Sequence, residues 1–490
     1  MNESRSAPML SDRNPDASGL VERDLAVFWH PCSQMRDFED LPPLEVTAAR
    51  GARLLLADGR QVLDAISSWW CKSLGHGHPG VRARIEQQLA RFEHVIAANT
   101  THHGLVELCE RLLDIANGQP PSPIARRAGH FGKVFLADNG STAVEIAMKM
   151  ALQAQLQRGH AGRTGFASLA GGYHGETLAT LSVGDLGLYS DPYQPLMFPV
   201  TKLGPIPYRT GVQDPRWQDA GPEWPEIERC LRSVADSLAA IVYEPVLQAA
   251  GGMRIYSPDL LRRLRRFADA NGIFLIADEI AAGMGRLGTM LASELALIST
   301  GAVSVAAAGA VGHRGVLPDF LVLSKGLTAG FLPLSAVLTT NHIYALFDGD
   351  WAARRAFLHS NTHTGNALAI AAALGALDAY ESEGILQRVA SEGPRMLAAL
   401  TEIVRARHGL TRARGVGMVA AVDLCAPGGG ALDPRARTGR RVFREAVKRG
   451  ALLRPLGDTL YLFPPLNCPP GDLDNMVEIL AASVAAVVGR

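Results

Sequence analysis

The stretch that decides the fold is residues 318–326, with the sequence PDFLVLSKG. Its apolar run of phenylalanine, leucine and valine predicts a buried strand that ends with Lys325 at the edge of a sheet. A lysine in this position is either a solvated strand end or an amine placed in a cleft for chemistry. Taken alone, the stretch favours the solvated strand end, because lysine side chains mostly face solvent.

A second apolar run, residues 272–279 with the sequence GIFLIADE, ends in Asp278 and Glu279. An acid and a lysine at the ends of neighbouring buried strands are the pair that a pyridoxal phosphate site needs. The lysine amine forms a Schiff base with this cofactor, and the carboxylate keeps the pyridine nitrogen protonated so that the ring takes up electrons. The two runs together therefore favour Lys325 and Asp278 as catalytic residues.

Two turns carry hydroxyl or amide residues at the predicted start of a helix. Residues 138–142 (DNGST) follow a short apolar run and precede a helical pattern over 143–156, while residues 359–366 (HSNTHTGN) precede an alanine-rich helix over 367–380. The free N–H groups and the dipole at a helix start attract a phosphate. The alternative is an ordinary helix N-cap, which an isolated turn of this kind favours.

Aromatic residues stand at two further positions that suit ligand binding. The glycine-rich turn at residues 171–176 (GGYHGE) lets the backbone approach a flat ligand, and Tyr173 can stack on that ligand's face. The alternative is a loop with a partly buried tyrosine. Adjacent Trp69 and Trp70 are either an apolar wall for a substrate chain or one core residue beside one exposed residue.

Apolar runs and helical patterns alternate through the middle of the chain, which predicts right-handed crossovers and an α/β fold with a mainly parallel sheet. A charged helical pattern over 385–405 and short strands follow, typical of an α+β unit. An Asp58-Gly59 turn between apolar runs predicts a β-hairpin. Residues 452–455 and 460–465 predict a second hairpin, which holds Arg454 on a strand either as a rim charge or as a clamp for a carboxylate.

The chain is accordingly divided into a disordered tail (1–18), the N-terminal part of a small domain (19–66), a large domain (67–382) and a C-terminal part of the small domain (383–490). The tail is polar and contains prolines, without the apolar core of a signal peptide. Residues 296–316, rich in alanine, glycine and valine, form an insertion between the two key strands, and no function is assigned to it.

Composition argues against several classes of function. The 48 basic and 48 acidic residues cancel, so charge supports neither a nucleic-acid partner nor an anionic membrane. No window reaches the roughly 18 consecutive apolar residues that a membrane-spanning helix needs. The six cysteines are scattered, without a CxxC pair or a His-Cys cluster. This pattern argues against a disulfide framework and a metal site, and it fits a cytoplasmic protein.

With these pieces in order, the chain resembles the class III, fold type I pyridoxal-phosphate-dependent aminotransferases along most of its length. Within that family it is most similar to the aminotransferases of biotin synthesis. The motifs that carry the resemblance are residues 29–31 (WHP), 67–70 (SSWW), 135–141 (FLADNGS), 172–175 (GYHG), 244–245 (EP), 277–280 (ADEI), 324–327 (SKGL) and 453–455 (LRP). The implied fold is a large domain with a helix-flanked sheet and a smaller α+β domain from both chain ends.

The resemblance implies how the cofactor is bound. Lys325 would be the Schiff-base lysine, and Asp278 would be the partner of the pyridine nitrogen. Tyr173 would stack on the ring and border the substrate. Gly140 and Ser141 would bind the phosphate from the same subunit.

The resemblance also implies a homodimer with shared active sites. Asn361 and Thr362 would reach the cofactor phosphate from the other subunit. The substrate pocket would consist of four residues, with the last of them binding the carboxylate of the keto acid: Trp69, Trp70, Ser360 and Arg454.

The implied reaction is transamination of 8-amino-7-oxononanoate to 7,8-diaminononanoate in biotin synthesis, with S-adenosylmethionine as amino donor. The alternatives are ω-amino acids, ornithine or γ-aminobutyrate as substrates, or another donor. The chain departs from the family pattern at Cys32, where a tyrosine is frequent, and at Glu176, where an aspartate is usual. These departures leave the donor open. A pyridoxal-phosphate-binding regulator would need a DNA-binding module, for which the sequence gives no pattern.

Overall fold

The computed structural model describes residues 19–118, 129–297, 316–406, 409–426 and 428–489. The predicted disordered tail (1–18) and all but the ends of the predicted insertion (296–316) lie outside the described residues. The described chain forms four sheets surrounded by helices, and the largest sheet carries the candidate site.

The largest sheet has seven strands, and its spatial order differs from the chain order. In spatial order the strands are Phe131–Ala137, Ser335–Thr340, Phe320–Leu323, Phe274–Asp278, Leu238–Tyr243, Gly165–Leu169 and Thr201–Leu203. Six strands run in one direction, and Ser335–Thr340 is antiparallel to both of its neighbours. The predicted α/β fold with a mainly parallel sheet is therefore confirmed.

Both faces of this sheet are covered, which explains the continuous apolar runs in the sequence. Phe274 and Ile276 belong to an apolar core shared with helix Gly140–Gln157. Leu275 and Ala277, the alternate residues of the same strand, belong to a separate core. Successive side chains of a strand point to opposite faces, so a strand between two cores needs an apolar residue at every position.

Helices fill the connections and the two ends of the described chain. Their bounds are Leu20–Val27, Asp37–Asp40, Ser67–Trp70, Pro79–Leu89, His103–Ala116, Gly140–Gln157, Leu178–Val183, Gly187–Ser190, Trp224–Val234, Asp259–Asn271, Asn341–Leu346, Ala367–Ser382, Ile385–Arg405, Thr438–Lys448 and Pro470–Val488. None of the described helices is long and apolar enough to cross a membrane.

Three smaller sheets complete the fold. Their strands are, sheet by sheet, Val46–Arg50, Arg53–Leu56, Gln61–Asp64 and Ala451–Leu452; Tyr208–Arg209, Arg254–Tyr256 and Leu247–Gln248; and Arg414–Val416, Val419–Asp423 and Thr459–Leu462. The hairpin predicted at Asp58-Gly59 is confirmed. Leu63 near the start of the chain pairs with Ala451 near its end, so both chain ends contribute to one unit. The exact domain boundaries remain a prediction.

The second predicted hairpin is wrong. Strand Ala451–Leu452 pairs in parallel with Gln61–Asp64, while Thr459–Leu462 pairs with Val419–Asp423 in another sheet. Arg454 therefore follows a two-residue strand and does not lie on a hairpin. The predicted turn around Gly457 does form, since Leu456 and Thr459 exchange both backbone hydrogen bonds at 3.0 Å. The local pairing ends there, because each flanking strand pairs with a partner far away in the chain.

A buried arginine joins the large sheet region to the C-terminal part of the chain. Arg286 donates from Nη1 to the carbonyls of Met418 at 3.1 Å and Pro464 at 2.6 Å, and its guanidinium lies 3.9 Å from the ring centroid of Phe463. Among the described residues, no carboxylate pairs with it. Burial lowers the pKa of Arg286 to about 9. The carbonyls and the aromatic face thus replace water around this cation.

The strand that leads to Lys325 depends on core packing, so truncating its buried phenylalanine should destabilise the protein. Phe320 is fully buried and meets Phe274 edge-on, with ring centroids 5.9 Å apart. We expect Phe320→Ala to lower the free energy of unfolding by about 3–5 kcal/mol. Urea unfolding of the cofactor-free protein measures this change. The control Leu156→Ala removes a half-exposed leucine and should change stability by less than about 0.5 kcal/mol; equal effects of the two variants would contradict the packing argument.

Candidate active site

A cavity of about 150 Å³ lies at the edge of the largest sheet, where strands Phe274–Asp278 and Phe320–Leu323 end. Its walls include six of the residues that the sequence singled out: Trp70, Gly140, Ser141, Tyr173, Asp278 and Lys325. The parallel register explains how the acid and the lysine come together, since Asp278 is the Cα partner of Val322, three residues before Lys325.

The Lys325 amine lies in a partly buried environment beside one aromatic ring. Its Nζ is 5.3 Å from the ring centroid of Trp70. Burial lowers the pKa of Lys325, and the negative charges of Asp278 and Glu244 act in the opposite direction. A lysine with a lowered pKa has a larger fraction of neutral amine, which is the nucleophilic and basic form.

Asp278 is held by two contacts that fix its carboxylate. His174 Nδ1 lies 2.8 Å from Oδ2 of Asp278, and the backbone N–H of Ile280 donates to Oδ1 at 3.1 Å. Both Asp278 and His174 are buried, and Nε2 of His174 has no hydrogen-bond partner among the described residues. The sequence marked His174 only as part of a glycine-rich turn, and no pattern in the chain indicated this contact.

Glu244 is a second buried carboxylate in the cavity wall that sequence reasoning missed. Its two oxygens accept from the backbone N–H groups of Tyr173 at 2.9 Å and Ala249 at 3.0 Å. Burial raises the pKa of Glu244 to about 7, and the nearby charge of Asp278 adds to this effect. The sequence did contain a signal for this residue, because Glu244 directly follows an apolar strand. That pattern alone indicated no chemical role for Glu244.

The start of helix Gly140–Gln157 forms one wall of the cavity. Asn139 Oδ1 accepts from the N–H of Thr142 at 3.0 Å, so this turn is an N-cap. The N–H groups of Gly140 and Ser141 come before the first intrahelical bond, donated by Ala143. A Cβ at Gly140 would lie 2.8 Å from Ile280 Cδ1, which explains the glycine. The turn is therefore an ordinary N-cap, as one of the two interpretations predicted. The same helix start still has free N–H groups that can attract a phosphate, as the other predicted.

The tryptophan pair lies in a left-handed turn that a buried acid ties down. Ser68 and Trp69 have φ values of 43° and 69°, a conformation that costs non-glycine residues roughly 1–2 kcal/mol each. Asp64 accepts from the N–H and the hydroxyl of Ser68 at 2.9 and 2.7 Å, and His76 Nε2 lies 2.9 Å from it. Burial alone would raise the pKa of Asp64, but the hydrogen bonds from His76 and Ser68 hold that pKa below its usual value.

The two tryptophans of this turn have different surroundings. Trp70 is buried and donates from Nε1 to the Tyr461 hydroxyl at 3.1 Å. Trp69 is 41% exposed, and the guanidinium of Arg454 lies 4.4 Å from its ring centroid. Nη2 of Arg454 also donates to the carbonyl of Cys32 at 2.7 Å. Trp69 and Arg454 therefore form a pair that does not line the cavity itself. Contacts through Cys32 and Tyr189 connect this outer region to Tyr173 in the cavity wall.

Tyr173 borders both the cavity and this outer region. Its hydroxyl donates to Oε1 of Glu176 at 2.9 Å, and its ring meets Tyr189 edge-on with centroids 5.6 Å apart. Burial and the charge of Glu176 raise the pKa of Tyr173, so its hydroxyl stays protonated. The hydroxyl of Tyr189 lies 3.7 Å from Cys32 Sγ. No pattern in the sequence indicated a role for Tyr189.

Ser360, Asn361 and Thr362 do not line this cavity. The carbonyl of Thr362 accepts from His94 Nε2 at 3.1 Å, and the N–H of Asn361 donates to Thr364 Oγ1 at 3.0 Å. Oδ1 of Asn361 is shielded from solvent without a hydrogen-bond partner in the described part of the chain. The structure therefore does not bring these three residues together with the predicted site residues that line the cavity.

A family model described as aminotransferase class-III matches residues 35–484 of the chain. The chain belongs to the class III aminotransferases. An adenosylmethionine-8-amino-7-oxononanoate aminotransferase of Nitratidesulfovibrio vulgaris is 37% identical over 474 residues, which cover 96% of this chain and 82% of that relative. As a class III aminotransferase, the protein is a pyridoxal-phosphate-dependent enzyme, as its sequence resemblance implied.

Two solved structures share the fold of this class III aminotransferase over nearly their whole length. The crystal structure of adenosylmethionine-8-amino-7-oxononanoate aminotransferase from Methanocaldococcus jannaschii has a TM-score of 0.84 at 27% identity, covering 96% of this chain and 99% of that one. An amine transaminase from an uncultivated Pseudomonas species, in its PLP-bound form, has a TM-score of 0.80 at 31% identity, covering 94% and 99%.

The cavity of this aminotransferase suits the chemistry of pyridoxal phosphate. A primary amine and a fixed carboxylate, from Lys325 and Asp278, lie in one cavity wall. The uncapped N–H groups of Gly140 and Ser141 suit the phosphate. Gly175 keeps this corner open, because a Cβ there would lie 2.4 Å from Ser141 Oγ. These groups therefore suit three parts of the cofactor: the amine suits its aldehyde, the carboxylate its ring nitrogen, and the N–H groups its phosphate.

The pKa of Glu244 makes a prediction about stability. The pKa rises from 4.5 to about 7 on folding, so the unfolded chain loses this proton first as pH rises. Stability is full below 4.5 and falls as pH rises through 7. Relative to Glu244→Gln, the cofactor-free wild type should lose stability on the order of 1–3 kcal/mol across that interval. Urea unfolding at pH steps measures the difference, and a pH-independent difference between the two proteins would contradict the raised pKa of buried Glu244.

Proposed function

We propose that this enzyme transfers an amino group from S-adenosylmethionine to 8-amino-7-oxononanoate, giving 7,8-diaminononanoate in biotin synthesis. The observation that carries the proposal is the cavity in which Lys325 and Asp278 meet. The choice of substrates is supported by the similarity to the relative from Nitratidesulfovibrio vulgaris, whose name states both of them.

Pyridoxal phosphate supplies an aldehyde that condenses with amines and a ring that takes up electrons. Lys325 Nζ is the amine that holds the cofactor covalently between turnovers. The Asp278 carboxylate, fixed by His174 and Ile280, holds a proton on the ring nitrogen. The N–H groups of Gly140 and Ser141 bind the phosphate, and Tyr173 stacks on the ring.

Lys325 also moves the proton that amino transfer requires. A neutral Nζ would take the proton from the α-carbon of the donor and hold it for its return later in the transfer. Burial of Lys325 supports this role, because it lowers the pKa and leaves more neutral amine at ordinary pH. The ring of Trp70 beside Nζ excludes water from the amine.

The outer region binds the substrates. Arg454 takes the carboxylate of the keto acid, for which its planar fork of N–H groups is suited. Trp69 and Trp70 provide apolar surface for the aliphatic chain, and Tyr173 and Ser360 complete the pocket. The stacking of Arg454 on Trp69 supports this arrangement, since it orients the guanidinium before the substrate arrives.

A homodimer completes the site. In this proposal Asn361 and Thr362 of one subunit bind the cofactor phosphate of the other. Two observations support it: the shielded Oδ1 of Asn361 lacks a partner among the described residues, and exposed apolar side chains flank the turn. Leu358 is 79% exposed, and Ile96, close to the His94 that contacts Thr362, is 63% exposed. A partner subunit would cover such a surface.

The proposal also includes the cell compartment and the domain limits. All six cysteines are free thiols, which supports a reducing cytoplasm. The pairing of Leu63 with Ala451 supports a small domain built from residues 19–66 and 383–490 around a large domain of residues 67–382.

A half-reaction tests the donor and the lysine together. Mixed with S-adenosylmethionine alone, the holoenzyme should convert its cofactor to the pyridoxamine form, which changes the absorption spectrum. Ornithine, γ-aminobutyrate and simple amines should not cause this change; conversion by one of them and not by S-adenosylmethionine would contradict the proposed donor.

Lys325→Ala should lose the absorption band of lysine-linked cofactor and reduce turnover by at least about 10²-fold. Lys72→Ala is the matched control, because Lys72 lies nearby but donates to the Gly330 carbonyl. It should keep the band. Retention of the band by Lys325→Ala would refute the assignment.

Mixed dimers test whether Asn361 and Thr362 act across subunits. Lys325→Ala and the double variant Asn361→Ala/Thr362→Ala should each be nearly inactive at limiting pyridoxal phosphate. After the two proteins are unfolded and refolded together, mixed dimers should contain one intact site each, so roughly a quarter of all sites should recover. Cofactor titration and turnover measure the recovery. No recovery above the separate proteins would show that these residues do not serve the partner's site.

A further inference from the structure

The N-terminal segment Phe28–Asp40, here called the strap, is attached to the protein without core packing. None of residues 19–51 is buried. Within one chain, hydrophobic burial, the main source of stability elsewhere in the protein, therefore does not hold the strap in place. Its position must depend on polar and surface contacts, and these are concentrated at two points.

The first point is a set of ion pairs with the helix Thr438–Lys448 and the residue before it. Asp37 Oδ2 accepts from Arg437 Nη2 at 2.7 Å and lies 3.3 Å from Arg440 Nη1. Arg440 also donates to the carbonyl of Asp37. Asp40 Oδ1 pairs with Arg444 Nη1 at 2.6 Å. The hydrogen bond from Arg437 lowers the pKa of Asp37, so its carboxylate stays ionised.

Packing beside these pairs is loose. A cavity of about 590 Å³ lies between residues 40–45 and the same helix, with Asp40 and Arg444 in its lining. The acidic anchors are therefore the main link between this end of the strap and the body of the protein, and of the two acids Asp37 is the better shielded. Its side chain is 16% exposed, against 55% for Asp40.

The second point is the contact between the strap and the outer region of the active site. The carbonyl of Cys32 accepts from Arg454 Nη2 at 2.7 Å, and Sγ of Cys32 lies 3.7 Å from the Tyr189 hydroxyl. Arg454 is held on its other side by the ring of Trp69. The strap thus orients one arm of Arg454 and leaves its remaining N–H groups for a ligand.

We propose that Asp37 is a positioning residue for substrate binding: through Arg437 and Arg440 it holds the strap so that the Cys32 carbonyl orients Arg454 toward the substrate carboxylate. The proposal rests on the proposed role of Arg454. The pair between Arg437 and Asp37 is half-exposed on the arginine side, and surface ion pairs are weak and screened by salt. We therefore expect the strap to be held less tightly as ionic strength rises. Asp37 touches no reacting atom and acts only through the strap.

Asp37→Asn removes the anchoring charge with little change in shape. Hydrogen exchange of residues 28–40 in the holoenzyme should become roughly 2- to 5-fold faster, and the KM of the keto acid should rise by a similar factor while kcat stays within about 2-fold. High salt should produce the same two changes in the wild type and add little to the variant. Asp37→Glu should restore most of both. Glu86→Gln, which breaks the exposed Arg82–Glu86 pair on helix Pro79–Leu89, is the matched control and should change neither.

A double-mutant cycle separates anchoring from other effects of the charge. If the pair acts as a unit, Arg437→Gln combined with Asp37→Asn should be no worse than the more affected single variant. Faster exchange without a higher KM, a higher KM without faster exchange, or no change in either would each overturn the positioning role of Asp37. Arg454→Ala distinguishes a failure of the underlying function, because an unchanged KM in that variant would remove Arg454 from substrate binding altogether.

Discussion

The active site depends on the parallel register between strands Phe274–Asp278 and Phe320–Leu323. Because both strands run in the same direction, their carboxyl ends lie at one edge of the sheet, and the pairing of Asp278 with Val322 fixes how far Lys325 is from the acid. Side chains alternate between the two faces of a strand, so a slip of one residue would turn Asp278 away from the cavity. Its carboxylate would then be buried in an apolar core. The two flanking cores prevent such a slip, since each accepts only one set of alternate residues.

The same register places several ionisable side chains close together in a partly buried cavity. It gathers a lysine, two carboxylates and a histidine in a region from which water is largely excluded, and isolated charges there would be costly. The contacts between His174 and Asp278, and between Glu244 and two backbone N–H groups, satisfy the carboxylates without neutralising Lys325 directly. Lys325 is left with a lowered pKa and a free amine. Burial therefore outweighs the negative charges of Asp278 and Glu244, which act on the pKa of Lys325 in the opposite direction.

The outer pocket is assembled differently, from chain segments that are far apart in sequence and lie on the surface of the fold. Trp69 follows the N-terminal sheet, Arg454 follows a strand near the C-terminus, and Cys32 belongs to a strap without buried residues. Ion pairs, a cation–π contact and a backbone carbonyl hold this region, whereas close packing holds the cavity below it. Under the proposed function, the closely packed part of the site would hold the cofactor, and the part held by polar contacts would bind the two substrates in turn.

The sequence by itself determined the elements whose signal is local: the parallel strands, the helix Ile385–Arg405 and the hairpin at Asp58-Gly59. It also determined that Lys325 and Asp278 lie at one edge of the sheet, because an apolar run that ends in a charge identifies a buried strand and its edge. Only the tertiary structure decided which polar residues meet. Asp278 meets His174, 104 residues away, and Glu244 accepts from the N–H of Tyr173, 71 residues away, and no local pattern indicated either contact. For the same reason the strands near Arg454 join two different sheets, although a short turn suggested that they would pair. Local patterns follow from backbone geometry and burial, whereas contacts between distant residues depend on how whole layers pack.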